Sequence, residues 1–259
     1  MSAEQPISAH AGLPASICIA TPAYEGSCKM GYVDSLLKLV VTLRELGISI
    51  SFATAEKSSI IALARNILAD YFLRKTTATH LLFIDADMRF RVEDVLRMLG
   101  HSSCDVIGAI CPGKTFDWPR IARIAREQPG LPPERLAERG AVYVSTPELL
   151  AAEAASDGVD VFDEPIEVSG VGTGLMLIRR EVFEALRNAH PEWLLTSGIV
   201  AGGHAFFSGG RMPDGGFAGE DFAFCQDARA IGVRIFACPW FKIGHIGTYE
   251  FVGELATAR

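Results

Sequence analysis

What most constrains this chain is a rhythm: short, unbroken apolar runs alternate with stretches whose apolar residues recur at helical spacing. Ser16-Ile17-Cys18-Ile19-Ala20-Thr21 is such a run, stopped by Pro22, and has the form of a parallel strand buried on both faces. Val33, Leu36, Leu37, Val40 and Leu43 follow at helical spacing, with Gly47 as a C-terminal stop. Ile48, Ile50 and Phe52 alternate as a second strand, and Ser58 or Ser59 can cap a helix reaching about Arg74. Leu81-Leu82-Phe83-Ile84 is the next buried strand and ends at Asp85. Val92, Val95, Leu96 and Leu99 share one helical face closed by Gly100, and Asp105 to Cys111 is a further strand. This order predicts an α/β fold with a parallel sheet and right-handed crossovers.

From Trp118 to about Pro165 the pattern weakens. Pro129, Pro132 and Pro133 interrupt it, and Ala151 to Asp163 is rich in Ala and Asp without an apolar face. Residues 119–165 therefore read as a partly helical insertion in a single domain spanning 16–259, with 1–15 as a flexible lead-in. Leu175-Met176-Leu177-Ile178 resumes the strands, Glu181 starts a short helix, Glu220 to Ile231 is helical, and Val233 to Ala237 is a last strand. Gly202 to Gly219 contains seven glycines, too many for the interior of an element, and reads as a mobile lid loop.

At 259 residues the chain suits one large domain. Its net charge of −7 and lack of a Lys/Arg-rich block argue against nucleic acid or an anionic membrane as the main partner. A polyanionic substrate would need a few placed cations or a bound metal. No apolar run approaches the ~18 residues of a transmembrane helix, and the N-terminus lacks the features of a secretory signal. Six scattered cysteines without a C-x-x-C pair read as free thiols. The expected compartment is the cytoplasm, with peripheral seating on the inner face of the membrane left open.

Ligands of open α/β sheets bind beyond the carboxyl ends of the strands, which directs attention to Thr21–Tyr24, Asp85–Asp87 and Cys111–Lys114. Asp85 and Asp87 stand one residue apart after a buried strand. Unpaired burial of both would be costly, so they face a cleft or hold a cation. Two carboxylates with substrate phosphates are a usual setting for Mg²⁺ or Mn²⁺; a turn that merely caps the next helix is the alternative. Lys114 either balances diphosphate charge or is a solvated loop lysine. Arg65 could be an exposed helix arginine, although Asn66 beside it is an odd residue for a helix interior. Glu220 and Asp221 open a helix, where the macrodipole favours carboxylates in any case. Asp221 is alternatively a general base for an acceptor hydroxyl.

The segment ALARNILADYFLRKTTATHLLFIDADM (62–88) resembles the "ARN … DxD" segment of GT-A glycosyltransferases. Gly172-Thr173-Gly174-Leu175-Met176-Leu177-Ile178-Arg179-Arg180-Glu181-Val182-Phe183 is similar to their acceptor-side strand and helix. Gly219-Glu220-Asp221-Phe222-Ala223-Phe224-Cys225-Gln226-Asp227-Ala228-Arg229 is similar to their "GED" helix, and Ile243-Gly244-His245-Ile246-Gly247 resembles their trailing histidine segment. The pieces occur in family order from Ile17 to Gly247, with a gap over the insertion, and resemble the large inverting group of these enzymes.

The resemblance implies a GT-A, Rossmann-like fold and transfer of a sugar from a UDP- or GDP-sugar donor to a glycan, lipid-linked or small-molecule acceptor. It implies that Thr21, Pro22 and Tyr24 flank the base, that Arg65 lies near the base or the diphosphate, and that Asp85 contacts the ribose. Asp87 and His245, with Asp85 beside them, would hold Mn²⁺ or Mg²⁺. Gly172, Thr173 and Gly174 would lie on the acceptor side, and Glu220 and Asp221 at the catalytic position. Two rivals remain: a phosphatase of the haloacid dehalogenase type, against which Arg89 stands two residues past Asp87, and a catalytically inactive sugar-nucleotide-binding module.

Overall fold

The computed structural model describes residues 12–143, Thr146, Glu148, 163–211, 215–247 and 250–253. Its first half follows the predicted alternation: β1 (Ser16–Ala23), α1 (Met30–Glu45), β2 (Ser49–Glu56), α2 (Ile61–Lys75), β3 (His80–Ile84), β4 (Met88–Phe90), α3 (Val92–Gly100) and β5 (Val106–Ala109). Then come β6 (Pro112–Phe116), α4 (Trp118–Glu127), α5 (Pro133–Arg139), β7 (Ala141–Tyr143), β8 (Ile166–Glu167), β9 (Leu175–Arg179) and α6 (Arg180–Ala189). A small hairpin of β10 (Gly210–Arg211) and β11 (Phe217–Ala218) precedes α7 (Glu220–Ala230), β12 (Ile235–Cys238), β13 (Ile243–Ile246) and β14 (Glu250–Gly253).

Seven strands form the central sheet in the order β2-β1-β3-β9-β5-β12-β8. The runs are continuously apolar because helices cover both faces. In β1, Cys18 and Ala20 pack with Phe72, Phe183 and Phe224 on one side, while Ile17 and Ile19 pack with Leu39, Leu43 and Leu99 on the other. β3 divides likewise, Leu81 and Phe83 against Leu82 and Ile84. Five strands point the same way, so the sheet is the mostly parallel α/β sheet expected, with one correction. β9 runs antiparallel between β3 and β5, and β8 runs antiparallel on β12. A central strand buried on both faces carries the same apolar run in either direction, so its sequence does not reveal the reversal.

Helix α2 also differs at its start. Its N-cap is Ile60 and makes no side-chain bond, while Ser58 Oγ donates to the Ile60 carbonyl. The stretch expected as an insertion carries most of α4, capped by Asp117 through the Arg120 amide, then α5 and β7, which pairs back on β6 just before the stretch. Most of 144–162, with the Ala/Asp-rich stretch, lies outside the described residues, as do 1–11 of the lead-in and 212–214 of the glycine-rich stretch.

That stretch divides into two parts. Phe206 and Phe207 are 1% exposed and pack on Phe183 and Phe224 in the core. Asn66 clamps the backbone here: its Nδ2 donates to the Phe207 carbonyl (2.8 Å) and its Oδ1 accepts from the Phe207 amide (2.9 Å). An asparagine inside α2 thus completes the backbone pairing of a segment that has no strand partner at that point. Phe206 and Phe207 thus belong to the core, and the β10–β11 hairpin is the part of 202–219 that lies outside it.

Candidate functional site

Behind the carboxyl ends of β1 and β3 the chain turns from Asp85 to Asp87 and enters β4. Strand β13 pairs with β4 in a register that sets His245 opposite Met88, and the Ile246 amide donates to the Asp87 carbonyl (2.8 Å). The same turn is held from the other side by the Lys29 amide, which donates to the Ala86 carbonyl (2.9 Å) at the start of α1. Gly31 lets α1 lie close to the tail: a Cβ there would stand 2.6 Å from Ile246 Cδ1, and that side chain would have to move.

This architecture surrounds Asp87 with positive partners. Lys114 Nζ, from β6, lies 2.6 Å from Asp87 Oδ2, and His245 Nε2 lies 3.4 Å from the same oxygen. Burial alone would raise the Asp87 pKa, but hydrogen bonds from His245 and Lys114 outweigh it and hold the carboxyl at about 2. The other histidine nitrogen, Nδ1, is 2.9 Å from the Pro112 carbonyl. A carbonyl only accepts, so Nδ1 carries a proton toward Pro112, while Nε2 faces Asp87 Oδ2.

Asp85 has a different fate. Arg65 Nη1 and Nη2 donate to its two oxygens (3.0 and 3.2 Å), while Arg65 Nε donates to Glu220 Oε1 (3.0 Å). Arg65 is 3% exposed. Burial works against its charge, but Asp85 and then Glu220 more than compensate, so its pKa is raised. The fork therefore joins the end of β3 to the first turn of α7. Asp221, next in sequence, accepts from the Phe222 amide through Oδ1 (2.8 Å), and burial raises its pKa above the usual carboxylate range.

Two cavities meet at Asp85. The larger, of about 600 Å³, is lined by Pro22, Tyr24, Lys29, Ile61, Asp87 and Lys114 among others. The smaller is lined by Asp221, Phe222, Cys111, His245 and the Gly170–Gly174 ribbon. Gly172 leaves bare backbone opposite Asp221, since a Cβ there would sit 3.5 Å from Oδ2. Gly174 is tighter: a Cβ would meet Met88 Cε at 2.7 Å.

Pro22, Tyr24, Asp85, Asp87 and Lys114 thus share one cleft, and Arg65, Asp85, Gly172, Thr173, Gly174, Asp221 and His245 line the other cavity. Thr21 is not brought to either. It is buried, and its Oγ1 is spent on the Tyr32 hydroxyl at 2.6 Å. Arg65 reaches a wall, but its donors are occupied by carboxylates instead of facing the cleft. Glu220 serves Arg65 and is not among the lining residues. Thr173 Oγ1 is buried without a hydrogen-bond partner among the described residues. Sequence reasoning missed Lys29, Ile61 and Phe222, while Cys111 lies in the strand-end stretch it marked; the signal for the three is proximity to strand ends and helix starts.

Mn²⁺ or Mg²⁺ can be tested against this donor set. Asp87 and His245 offer an oxygen and a nitrogen on one side, while Asp85 is held by Arg65. No group of three His, Cys, Asp or Glu able to hold an ion occurs among the described residues. An ion on this pair would have to displace Lys114, 2.6 Å from Asp87 Oδ2, and draw the rest of its shell from substrate diphosphate and water.

No protein-family model matches the chain, and no match is found among curated proteins. Among solved structures it is similar to A197 from STIV, at 17% identity over 90% of this chain and 86% of that one, with a TM-score of 0.50. S. aureus TarS 1-349, solved in complex with UDP-GlcNAc, matches at 14% identity and a TM-score of 0.35; this chain spans 55% of its length. The likeness to A197 concerns the fold, and the fold class is the GT-A, Rossmann-like α/β architecture that the sequence implied. No helix among the described residues is long and apolar enough to cross a membrane.

Proposed function

We propose that this chain is a glycosyltransferase that moves a sugar from a nucleotide-diphosphate-sugar to an acceptor hydroxyl, with Mn²⁺ or Mg²⁺ bound and with inversion at the anomeric carbon. The observation that carries the reading is the β13–β4 register. It brings His245 Nε2 to 3.4 Å from Asp87 Oδ2, where Lys114 also reaches, while Asp221 stands with Asp85 and His245 along the smaller cavity.

In this reading the donor lies in the larger cleft, its UDP- or GDP-type nucleotide between Pro22 and Tyr24, and its diphosphate toward Lys114 and Lys29. Asp87 and His245 would hold the ion, which when bound supplies positive charge where the diphosphate leaves. Asp221 accepts the proton of the acceptor hydroxyl as its oxygen bonds to the anomeric carbon, and the bond from that carbon to the diphosphate oxygen breaks. A base with a raised pKa suits that role, because its strength lies nearer to working pH. Arg65 binds no substrate here; it keeps Asp85 and the start of α7 in fixed relation, so that donor and base meet. A haloacid-dehalogenase-like phosphatase is less well supported, since it needs a carboxylate free to attack phosphorus and both oxygens of Asp85 are engaged by Arg65. The acceptor remains a glycan, a lipid-linked group or a small molecule, and the setting proposed is the cytoplasm.

Melting of the protein with UDP or GDP, each with Mn²⁺ and each with EDTA, tests the reading. A ligand at about 100 times its Kd stabilises by about 2.7 kcal/mol, which is a clear rise in Tm. A rise with one nucleotide that EDTA abolishes, followed by release of that nucleotide from its sugar conjugate, is expected. No rise with either nucleotide would overturn the donor site, and binding without turnover toward any acceptor or water would leave only an inactive binding module.

A further inference from the structure

The far edge of the central sheet carries a second surface, remote from the site. Strand β2 is the terminal strand, and among the described residues nothing pairs with its outer edge. Its sequence, SISFATAE, has no lysine, proline or bulge to protect the edge, and its one charge, Glu56, stands at the very end. Beside it lies a groove between α1 and β2, lined by Leu36, Leu37, Val40, Arg44, Ile50 and Phe52. Leu37 is 61% exposed, Val41 56% and Phe52 46%, so the apolar side of α1 runs on past the core onto open surface.

We infer that this edge is the contact between two copies of the chain, with the β2 strands pairing antiparallel about a two-fold axis at Phe52. The self-complementarity of an edge strand is what a two-fold interface requires, the same patch serving both partners. Charge fixes the occupant and the register. The side chains of Arg44 and Glu56 form no ion pair or hydrogen bond among the described residues, although Arg44 lines this groove and Glu56 ends the strand. With Phe52 on the axis, antiparallel pairing sets position 54 opposite 50 and position 56 opposite 48. Side chains alternate along a strand, so Glu56, Phe52 and Ile48 share the α1 face. The partner's Glu56 then arrives beside Ile48, next to the last turn of α1, where Arg44 is. The same contact forms twice, once at each end of the pair. Phe52 packs against its own copy and into the groove, covering Leu37 and Val41, and the two seven-stranded sheets become one.

The test is the mass of the full chain in solution, by light scattering during gel filtration at tens of micromolar. A particle of twice the 27.9 kDa chain mass is expected. Phe52→Lys should weaken association at least tenfold while leaving circular dichroism, Tm and nucleotide binding unchanged, because the side chain is half exposed. Arg44→Glu and Glu56→Arg should each weaken it, and the two together in one chain should restore it. A monomer for the unmodified chain at 100 micromolar overturns the inference. So does a dimer indifferent to Phe52→Lys, or a charge swap that restores nothing.

Discussion

Replacing Arg65 with Met removes one guanidinium from between two carboxylates. Arg65 is almost wholly buried, and its three donors reach Asp85 at 3.0 and 3.2 Å and Glu220 at 3.0 Å. Methionine fills most of the volume, so the loss is chiefly electrostatic: two acidic groups, 23% and 15% exposed at their side chains, are left facing each other without a counter-charge. Breaking a buried pair from one side costs about 3–5 kcal/mol, and here one deletion orphans two partners. At roughly 2–4 °C per kcal/mol for a domain of this size, Tm should fall by roughly 6–20 °C. The double variant Arg65→Met with Glu220→Gln should recover part of that fall, because one orphan has been neutralised. Arg65→Lys should also lose stability, since a single ammonium cannot satisfy both acids with forked geometry. The assay is reversible denaturant unfolding of the four proteins at fixed pH. A loss under about 1 kcal/mol for Arg65→Met, or no recovery in the double variant, would refute the idea that this fork joins β3 to α7.

Asp87→Ala should abolish nucleoside-diphosphate binding in Mn²⁺, whereas Asp221→Asn should leave binding nearly intact and stop transfer, since a base acts mainly in the transition state; equal loss of affinity in calorimetric titrations would contradict this division. Burial raises the Asp221 pKa, so the rate should rise with pH along a limb lying above the ordinary carboxylate range. The matching stability term is full below the unfolded pKa of an aspartate and lost as pH rises through the raised folded value; Asp221→Asn should remove it, and an unchanged profile of Tm against pH in that variant would be the refutation. Hydrogen exchange should find the Phe207 amide already protected in the free protein, where Asn66 Oδ1 accepts it. Exchange within residues 209–219 should slow on adding the nucleoside diphosphate with Mn²⁺; equally slow exchange before and after would remove the gating role of the hairpin.

Local patterns carried much of this structure into the sequence. The apolar runs Ile17–Ala20 and Leu81–Ile84 mark strands because helices cover both their faces, and Asp85 and Asp87 are conspicuous because charge after such a run must face a cleft or a partner. What stayed hidden is set by contacts distant along the chain. The reversed direction of β9 depends on how the ribbon before it enters the sheet, and no feature of Leu175–Arg179 encodes that. Arg65 shows the same limit: its residue type suggests a phosphate ligand, and only the approach of Glu220 from α7 turns it inward. Asn66 was visible as an anomaly in its helix, but Phe207, the backbone it serves, lies far along the chain. Thr21 sits at a strand end, as a ligand-binding residue should, yet Tyr32 on α1 takes its hydroxyl.

The pairing of β13 with β4 also sets an order in time. Every strand of the central sheet, and the helix bearing Asp221, is synthesised before His245 is. A chain that has reached Cys238 holds both ends of the Arg65 fork, but it lacks the core residues Trp240, Phe241 and Ile243, and its Asp87 has Lys114 without His245. The cleft gains its histidine last, when the tail folds back along Met88–Phe90. A chain halted in that interval would have its central sheet but neither the closed second core nor the completed cleft, so on the proposed function it would hold no ion at Asp87.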